Sequence, residues 1–245
     1  MGKVTIFVEG HTETTFIKRL LFLTFITQEI SINFLNLGGR TAKSPPDYQN
    51  VNASLNFLVI DVGGDGKVLT SIRDSEERLL REGNDKILGL QDLNTSDYDK
   101  FSRGKINNSL TKEFIRERQN VINGMSDPNK IKSFFSIMEI EAWIISMPNV
   151  ILKIGQGLTK GTVQSAIGKD IETVVPEKEF YKPSTTMRKI YKVASLKYDK
   201  SLGCALSLMS KITKEDIHNL LSSNKSSSFS AFYNELVSGY EDLKE

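Results

Sequence analysis

One cysteine, Cys204, and two histidines, His11 and His218, are all that the 245 residues contain of those two types. A lone cysteine excludes an internal disulfide and any multi-cysteine zinc site, and in Gly203-Cys204-Ala205-Leu206 it reads as a small core residue. So few histidines leave little room for a histidine cage. Any metal would be held mainly by oxygen, which favours magnesium or manganese over zinc. Long apolar runs are missing too: the longest, Leu20 to Ile26, is interrupted by Thr24 and falls far short of the roughly 20 residues of a membrane span. The N-terminus enters a strand almost at once, without the regions of a signal peptide, so no membrane and a cytoplasmic location are expected. There is no internal repeat and no coiled-coil heptad.

What the chain does have is enough apolar residue, 39%, for a real core, in one large domain or one domain with an appended lobe. Its first strand, Val4 to Val8, is β-branched and aromatic without polar alternation, as in a parallel sheet covered on both faces. Glu9 follows at the strand's carboxyl end, Gly10 breaks it, and Thr12 is the expected N-cap of a helix with Glu13 in its first turn. Open α/β sheets put their ligands at that end of their strands.

A second strand is expected over Ile30 to Leu37, ending at Gly38-Gly39, then a surface loop over Arg40 to Ser54. Leu55 to Asp61 is another buried strand, followed by Val62-Gly63-Gly64-Asp65-Gly66-Lys67 and a helix to about Arg81. The glycine-rich turn can be read as a phosphate cradle, but it lacks the Walker spacing, and a tight strand-to-helix turn is the simpler reading.

Lys86 to Asn94 forms a strand whose apolar centre runs into Asp92 and Asn94. Residues i and i+2 of a strand share a face, so their oxygens can converge on one ion; the competing reading is a plain Asp/Asn turn. Residues 95 to 130 are polar and insertion-like, with one helix around Lys112 to Val121. Ser133 to Met138 returns as a buried strand and leads into Glu139-Ile140-Glu141-Ala142-Trp143. If Glu139 ends the strand and Glu141 begins the helix, both can serve one site; on a continuous helix they would lie about 200° apart. A first-turn acid favoured by the helix dipole is the alternative for Glu141. Pro148 is expected to end that helix.

Beyond residue 150 the pattern is helical: a weak stretch over 149–182, helices from Pro183 to about Tyr198, Leu202 to Ile212 and Lys214 to Leu221, a serine-rich loop over Ser222 to Ser230, and a last helix over Phe229 to Leu243. Nine Lys or Arg stand against three acids between residues 182 and 225. A basic third beside an acidic pocket suits a phosphate backbone, and a solvated lysine-rich surface is the plain alternative. Acidic groups thus stand at the ends of three strands: Glu9, Asp92 with Asn94, and Glu139 with Glu141. Carboxylates brought to one sheet edge repel one another unless a cation sits among them. Oxygen-ligated magnesium then supports phosphodiester cleavage or transfer.

The Val-Glu-Gly-x-Thr-Glu stretch at 8–13, the Asp-x-Asn at 92–94 and the Glu-x-Glu-Ala-Trp at 139–143 resemble the Toprim domain. The likeness is to stand-alone Toprim-like proteins related to the nuclease domains of overcoming-lysogenization-defect and other phage-defence proteins, and it extends over most of the chain through short motifs. The resemblance implies an α/β fold, a Toprim-like (Rossmann-like) mostly parallel sheet flanked by helices, over residues 1–150, with a mostly helical part over 151–245. It implies a metal-dependent nuclease acting on DNA or RNA with Mg2+ or Mn2+, controlled by a partner ATPase in anti-phage defence. Glu9 matches the catalytic acid/base glutamate and Asp92 the first metal carboxylate. Asn94 stands where the family has a second Asp, and Glu139 and Glu141 match a paired acidic motif. Nucleic-acid contacts are expected from Lys67, Lys182, Arg188, Lys189, Lys192 and Lys200. A homo-oligomer stays open, as does a Toprim-derived binding or regulatory subunit with little catalysis. A nucleotidyl- or phosphotransfer enzyme using Gly63 to Lys67 is a third reading.

Overall fold

The computed structural model describes residues 1–38, 45–64 and 66–245. Gly39, the first residues of the expected surface loop and Asp65 of the glycine-rich turn lie outside the described residues. The chain divides into two compact units interleaved in sequence: residues 1–91, 108–135 and 237–245 form the first, residues 92–107 and 136–236 the second. Residue 150, the expected boundary between an α/β part and a helical part, lies inside the second.

The first unit is built on a five-stranded, all-parallel sheet of order β2-β3-β1-β4-β5, where β1 is Gly2–Val8, β2 Ile30–Asn36, β3 Leu55–Asp61, β4 Lys86–Asp92 and β5 Ile131–Ser136. Val8 is in register with Asp61 on one side and Leu90 on the other. Parallel strands end at one edge, so Val8, Asp61 and Leu90 lie side by side there. The uninterrupted apolar runs are explained by cover on both faces. Helix α1, His11–Thr24, buries Phe16, Ile17, Leu20 and Leu21; helix α2, Val68–Arg81, buries Val68, Leu69, Ile72 and Leu79 in a cluster with Phe7, Ile60, Ile87 and Ile131. Gly89 of β4 lets α2 approach closely, since a Cβ there would stand 2.8 Å from Ile72 Cδ1 and 2.9 Å from Val68 Cγ1.

The second unit contains α3, Ser96–Ser102, a helix within the stretch expected to be a polar insertion; α4, Asn108–Asn123, belongs to the first unit and contains the expected 112–121 helix. The second unit continues with α5 (Glu141–Ile145), α6 (Pro148–Leu152), α7 (Lys160–Ile167), α8 (Pro176–Glu179), α9 (Pro183–Val193), α10 (Leu202–Met209), α11 (Lys214–Ser222) and α12 (Ser227–Val237). Its core is centred on Trp143, fully buried, whose ring meets Phe229 edge-on at 5.3 Å between centroids while its Nε1 donates to Ser228 Oγ at 2.7 Å. No helix among the described residues is long and apolar enough to cross a membrane.

Several local expectations are corrected. The N-cap of α1 is Gly10, not Thr12: His11 already opens the helix, and Thr12 is buried. Pro148 starts α6 instead of ending α5, its missing N–H costing nothing in a first turn. The serines near 227 are helical because Glu177 of α8 caps that end, accepting from Ser226 Oγ, Ser227 N–H and Ser228 Oγ. Cys204 is half-buried on α10, with its Sγ 4.0 Å from Tyr191 Oη, and is not a core residue.

Candidate metal centre

In the second unit β4 delivers Asp92, and the turn between β5 and α5 delivers Glu139 and Glu141. The turn is tight: Met138, fully buried, holds φ at 67°, a left-handed conformation that a long side chain adopts at a cost. That bend separates Glu139 from the strand and puts Glu141 at the first position of α5, so the two glutamates escape the opposed directions of a continuous helix. One carboxylate oxygen each from Asp92, Glu139 and Glu141 lies within 4.8 Å of the others. Two oxygens on opposite sides of a magnesium stand about 4.2 Å apart, and of a calcium about 5 Å, so the cluster is sized to hold a metal ion.

Each carboxylate is also held by the protein. Asp92 Oδ1 accepts from Ser136 Oγ at 2.6 Å and from the Ile140 N–H at 3.0 Å. Glu139 sits on the N-terminal turn of α9, accepting from the Ser184 N–H at 2.6 Å and from Ser184 Oγ at 2.9 Å, where the helix dipole favours a negative charge. Glu141 is fully buried; its Oε1 accepts from Tyr198 Oη at 2.7 Å. Its Oε2 is buried with no hydrogen-bond partner among the described residues. A buried carboxylate oxygen left unanswered is costly, and a cation answers it.

One cation is already present. Lys200 Nζ lies 2.8 Å from Glu141 Oε1 and 3.8 Å from Glu139 Oε1. Its backbone is left-handed, φ 56°, in a turn that Asp199 closes by accepting from the Ser201 N–H at 3.0 Å. Burial pulls the ammonium's pKa down, but Glu141, Asp92 and Glu139 outweigh it and hold the pKa above the ordinary lysine value. Three carboxylates against one ammonium leave a formal charge of −2, which one divalent ion balances. Lys200 was expected along a basic track; its ammonium is among the acids instead.

The other expected cations of this unit are exposed. Lys182 precedes α9, and Arg188, Lys189 and Lys192 fall with Thr185 on one exposed face of that helix, whose sequence contains no acid. The first turn of the same helix grips Glu139. Lys67, in the first unit, is exposed at the N-cap of α2.

Asn94 lies two residues beyond the end of β4, so the shared strand face invoked for Asp92 and Asn94 does not extend to it; its N–H donates to the Met138 carbonyl at 2.8 Å. Thr95, next along, caps α3 by accepting from the Tyr98 N–H at 3.2 Å, which is the Asp/Asn turn reading in part.

Glu9 belongs to the first unit, follows β1 and is 8% exposed. Its Oε1 accepts from the Gly66 N–H at 3.2 Å and its carbonyl from the Gly64 N–H at 3.1 Å. Asp61, at the end of β3, accepts from the Gly63 N–H at 2.8 Å and pairs with His11 Nδ1 at 3.3 Å. The glycine turn's N–H groups are thus turned to protein acceptors, which supports the tight-turn reading. Gly63 is required there: φ is 71°, and a Cβ would stand 2.3 Å from Gly38 Cα. Arg118 of α4 feels the Glu9 charge, although burial outweighs it and lowers the guanidinium's pKa. The Asp61–His11 pair escaped sequence reasoning, but an Asp closing a buried strand was a visible signal.

Compared with family models, with curated proteins and with solved structures, the chain matches none.

Proposed function

We propose that this chain is a metal-dependent nuclease of Toprim type, cleaving phosphodiester bonds of DNA or RNA with Mg2+ or Mn2+ held by Asp92, Glu139 and Glu141. The carrying observation is the second unit's carboxylate cluster, with a formal excess of negative charge and a buried Glu141 oxygen that has no hydrogen-bond partner among the described residues. Held by Asp92, Glu139 and Glu141, a divalent ion would supply polarisation of a phosphoryl oxygen and activation of a water. The chain's own residues do the rest. Ser136, Ser184 and Tyr198 fix the three carboxylates, so little reorganisation accompanies binding. The acid-free face of α9 draws in a polyanion beside the helix turn that holds Glu139. The resemblance would give Glu9, in the first unit, the part of the family's acid/base glutamate. By the same resemblance the chain is the effector of an anti-phage system whose separate ATPase controls it.

Lys200 favours a second reading, a nucleic-acid-binding or regulatory subunit with little catalysis. Its ammonium already supplies one positive charge to the cluster, as it would in a site that has given up its metal.

Incubating supercoiled plasmid, single-stranded DNA and total RNA with Mg2+, Mn2+ or chelator separates the two. Metal-dependent cleavage that is lost in Asp92→Asn and in Glu9→Ala is the expected result. Binding without cleavage under every condition, including with co-purified partners, gives the second reading.

A further inference from the structure

Helix α3 follows Asp92 and Asn94 by one capped turn, and at its C-terminal end Phe101 exposes 68% of its surface, the most of any aromatic side chain in the second unit. A ring in that position leaves most of its surface in water, and α3 is anchored instead by Tyr98, fully buried, whose hydroxyl donates to the Asn107 carbonyl at 3.2 Å. From the ring onward the sequence is Phe101-Ser102-Arg103-Gly104-Lys105, with Lys100 before it and Asp97 and Asp99 in the first turn of the helix. Lys100 is partly spent on Asp97, 3.0 Å away. Arg103 and Lys105 are exposed and make no ion pair among the described residues.

The ring is tied to the carboxylate cluster by two routes within one unit. Along the chain, α3 is seven residues long, about 10 Å at 1.5 Å per residue, and begins four residues after Asp92. Across space, Ser102 Oγ lies 2.8 Å from Tyr181 Oη, Tyr181 also donates to Asp99, and Lys182 stands 5.7 Å from the centroid of the Tyr181 ring. Ser184, two residues on, binds Glu139. Helix α3, which carries Phe101, is therefore anchored to the segment that runs through Lys182 to the Ser184 donor of Glu139.

We propose that Phe101 is a base-stacking platform for a single-stranded nucleic acid, with Arg103, Lys105 and Lys182 on its phosphates. An exposed ring between cations takes the face of any base, and only an unpaired, unstacked base offers that face; a duplex keeps its bases stacked on one another. This rests on the nuclease reading and narrows its substrate to single-stranded DNA or RNA, or single-stranded segments of a folded RNA.

The test is fluorescence anisotropy of the full chain with a labelled 20-nucleotide single strand and the matching duplex, in chelator so that nothing is cut. Wild type is expected to bind the single strand more tightly than the duplex. Phe101→Ala should weaken single-strand binding by roughly five- to hundredfold, the worth of one stacked base, and leave duplex binding unchanged. Phe101→Trp should retain affinity, and its indole should be quenched by the oligonucleotide while the buried Trp143 is not. Single-strand affinity unchanged in Phe101→Ala, or both affinities lowered equally, overturns the platform while leaving the nuclease reading intact. A wild type that binds neither strand overturns the platform as well, and the nuclease reading then rests on the cleavage assay with metal.

Discussion

Glu9 and Asp61 in the first unit, and Asp92, Glu139 and Glu141 in the second, are all carboxylates at or just past the ends of strands, yet their surroundings differ. In the first unit the glycine turn after β3 presents N–H groups to both acids, and His11 stands against Asp61. In the second, hydroxyls and N–H groups orient the carboxylates, a lysine from elsewhere in the chain offsets part of their charge, and Glu141 Oε2 is left over. An acid at a strand end therefore means little alone. What marks a cation site is a fold that gathers carboxylates and withholds enough donors to satisfy them.

The largest effect that would sharpen this contrast is on activity. Asp92→Asn and Glu141→Gln should each lower metal-dependent cleavage by at least about a hundredfold, a barrier rise of roughly 2.7 kcal/mol, in a gel assay with Mg2+. Asp61→Asn should retain most of it. Equal losses in all three would erase the distinction between the units.

Stability comes next. Lys200→Met leaves Glu141 fully buried without its ammonium and should cost about 3 kcal/mol in chelator, a drop of roughly 6–12 °C in Tm. Mn2+ should restore part of that loss, since a divalent ion supplies the missing charge. A melt that ignores both the substitution and the ion would show the pair to be energetically idle. Asp61→Asn should cost about 1–2 kcal/mol by weakening the His11 pair, with no response of its Tm shift to Mn2+. Ser184→Ala removes only the Oγ bond and keeps the backbone donor to Glu139, so about 1.5 kcal/mol and a change in metal affinity below about threefold are expected in melts and titrations.

Much of this arrangement is legible in the sequence. Continuous apolar runs such as Leu55 to Asp61 identify buried parallel strands, and acids that close them stand out because burial of a charge needs a reason. The break between Glu139 and Glu141 follows from their spacing on a helix. Less is legible where tertiary register decides. Nothing local announces that Lys200 reaches Glu141, fifty-nine residues earlier, or that Glu177 caps α12 and turns an apparent serine-rich loop into helix. Strand ends are read least well: β4 stops at Asp92, so the alternation that would have placed Asn94 beside it no longer applies. The interleaving of the two units is invisible to composition, because the chain leaves the first unit after Gln91 and re-enters it at Asn108 without any linker-like stretch.

The most direct test of the central claim is a calorimetric titration of the metal-free chain with Mn2+, comparing wild type with Glu141→Gln and Asp61→Asn. Binding of the ion by wild type and by Asp61→Asn, weakened at least tenfold in Glu141→Gln, is the result expected of a metal centre in the second unit. Binding that Glu141→Gln leaves untouched, or that Asp61→Asn abolishes, would contradict it.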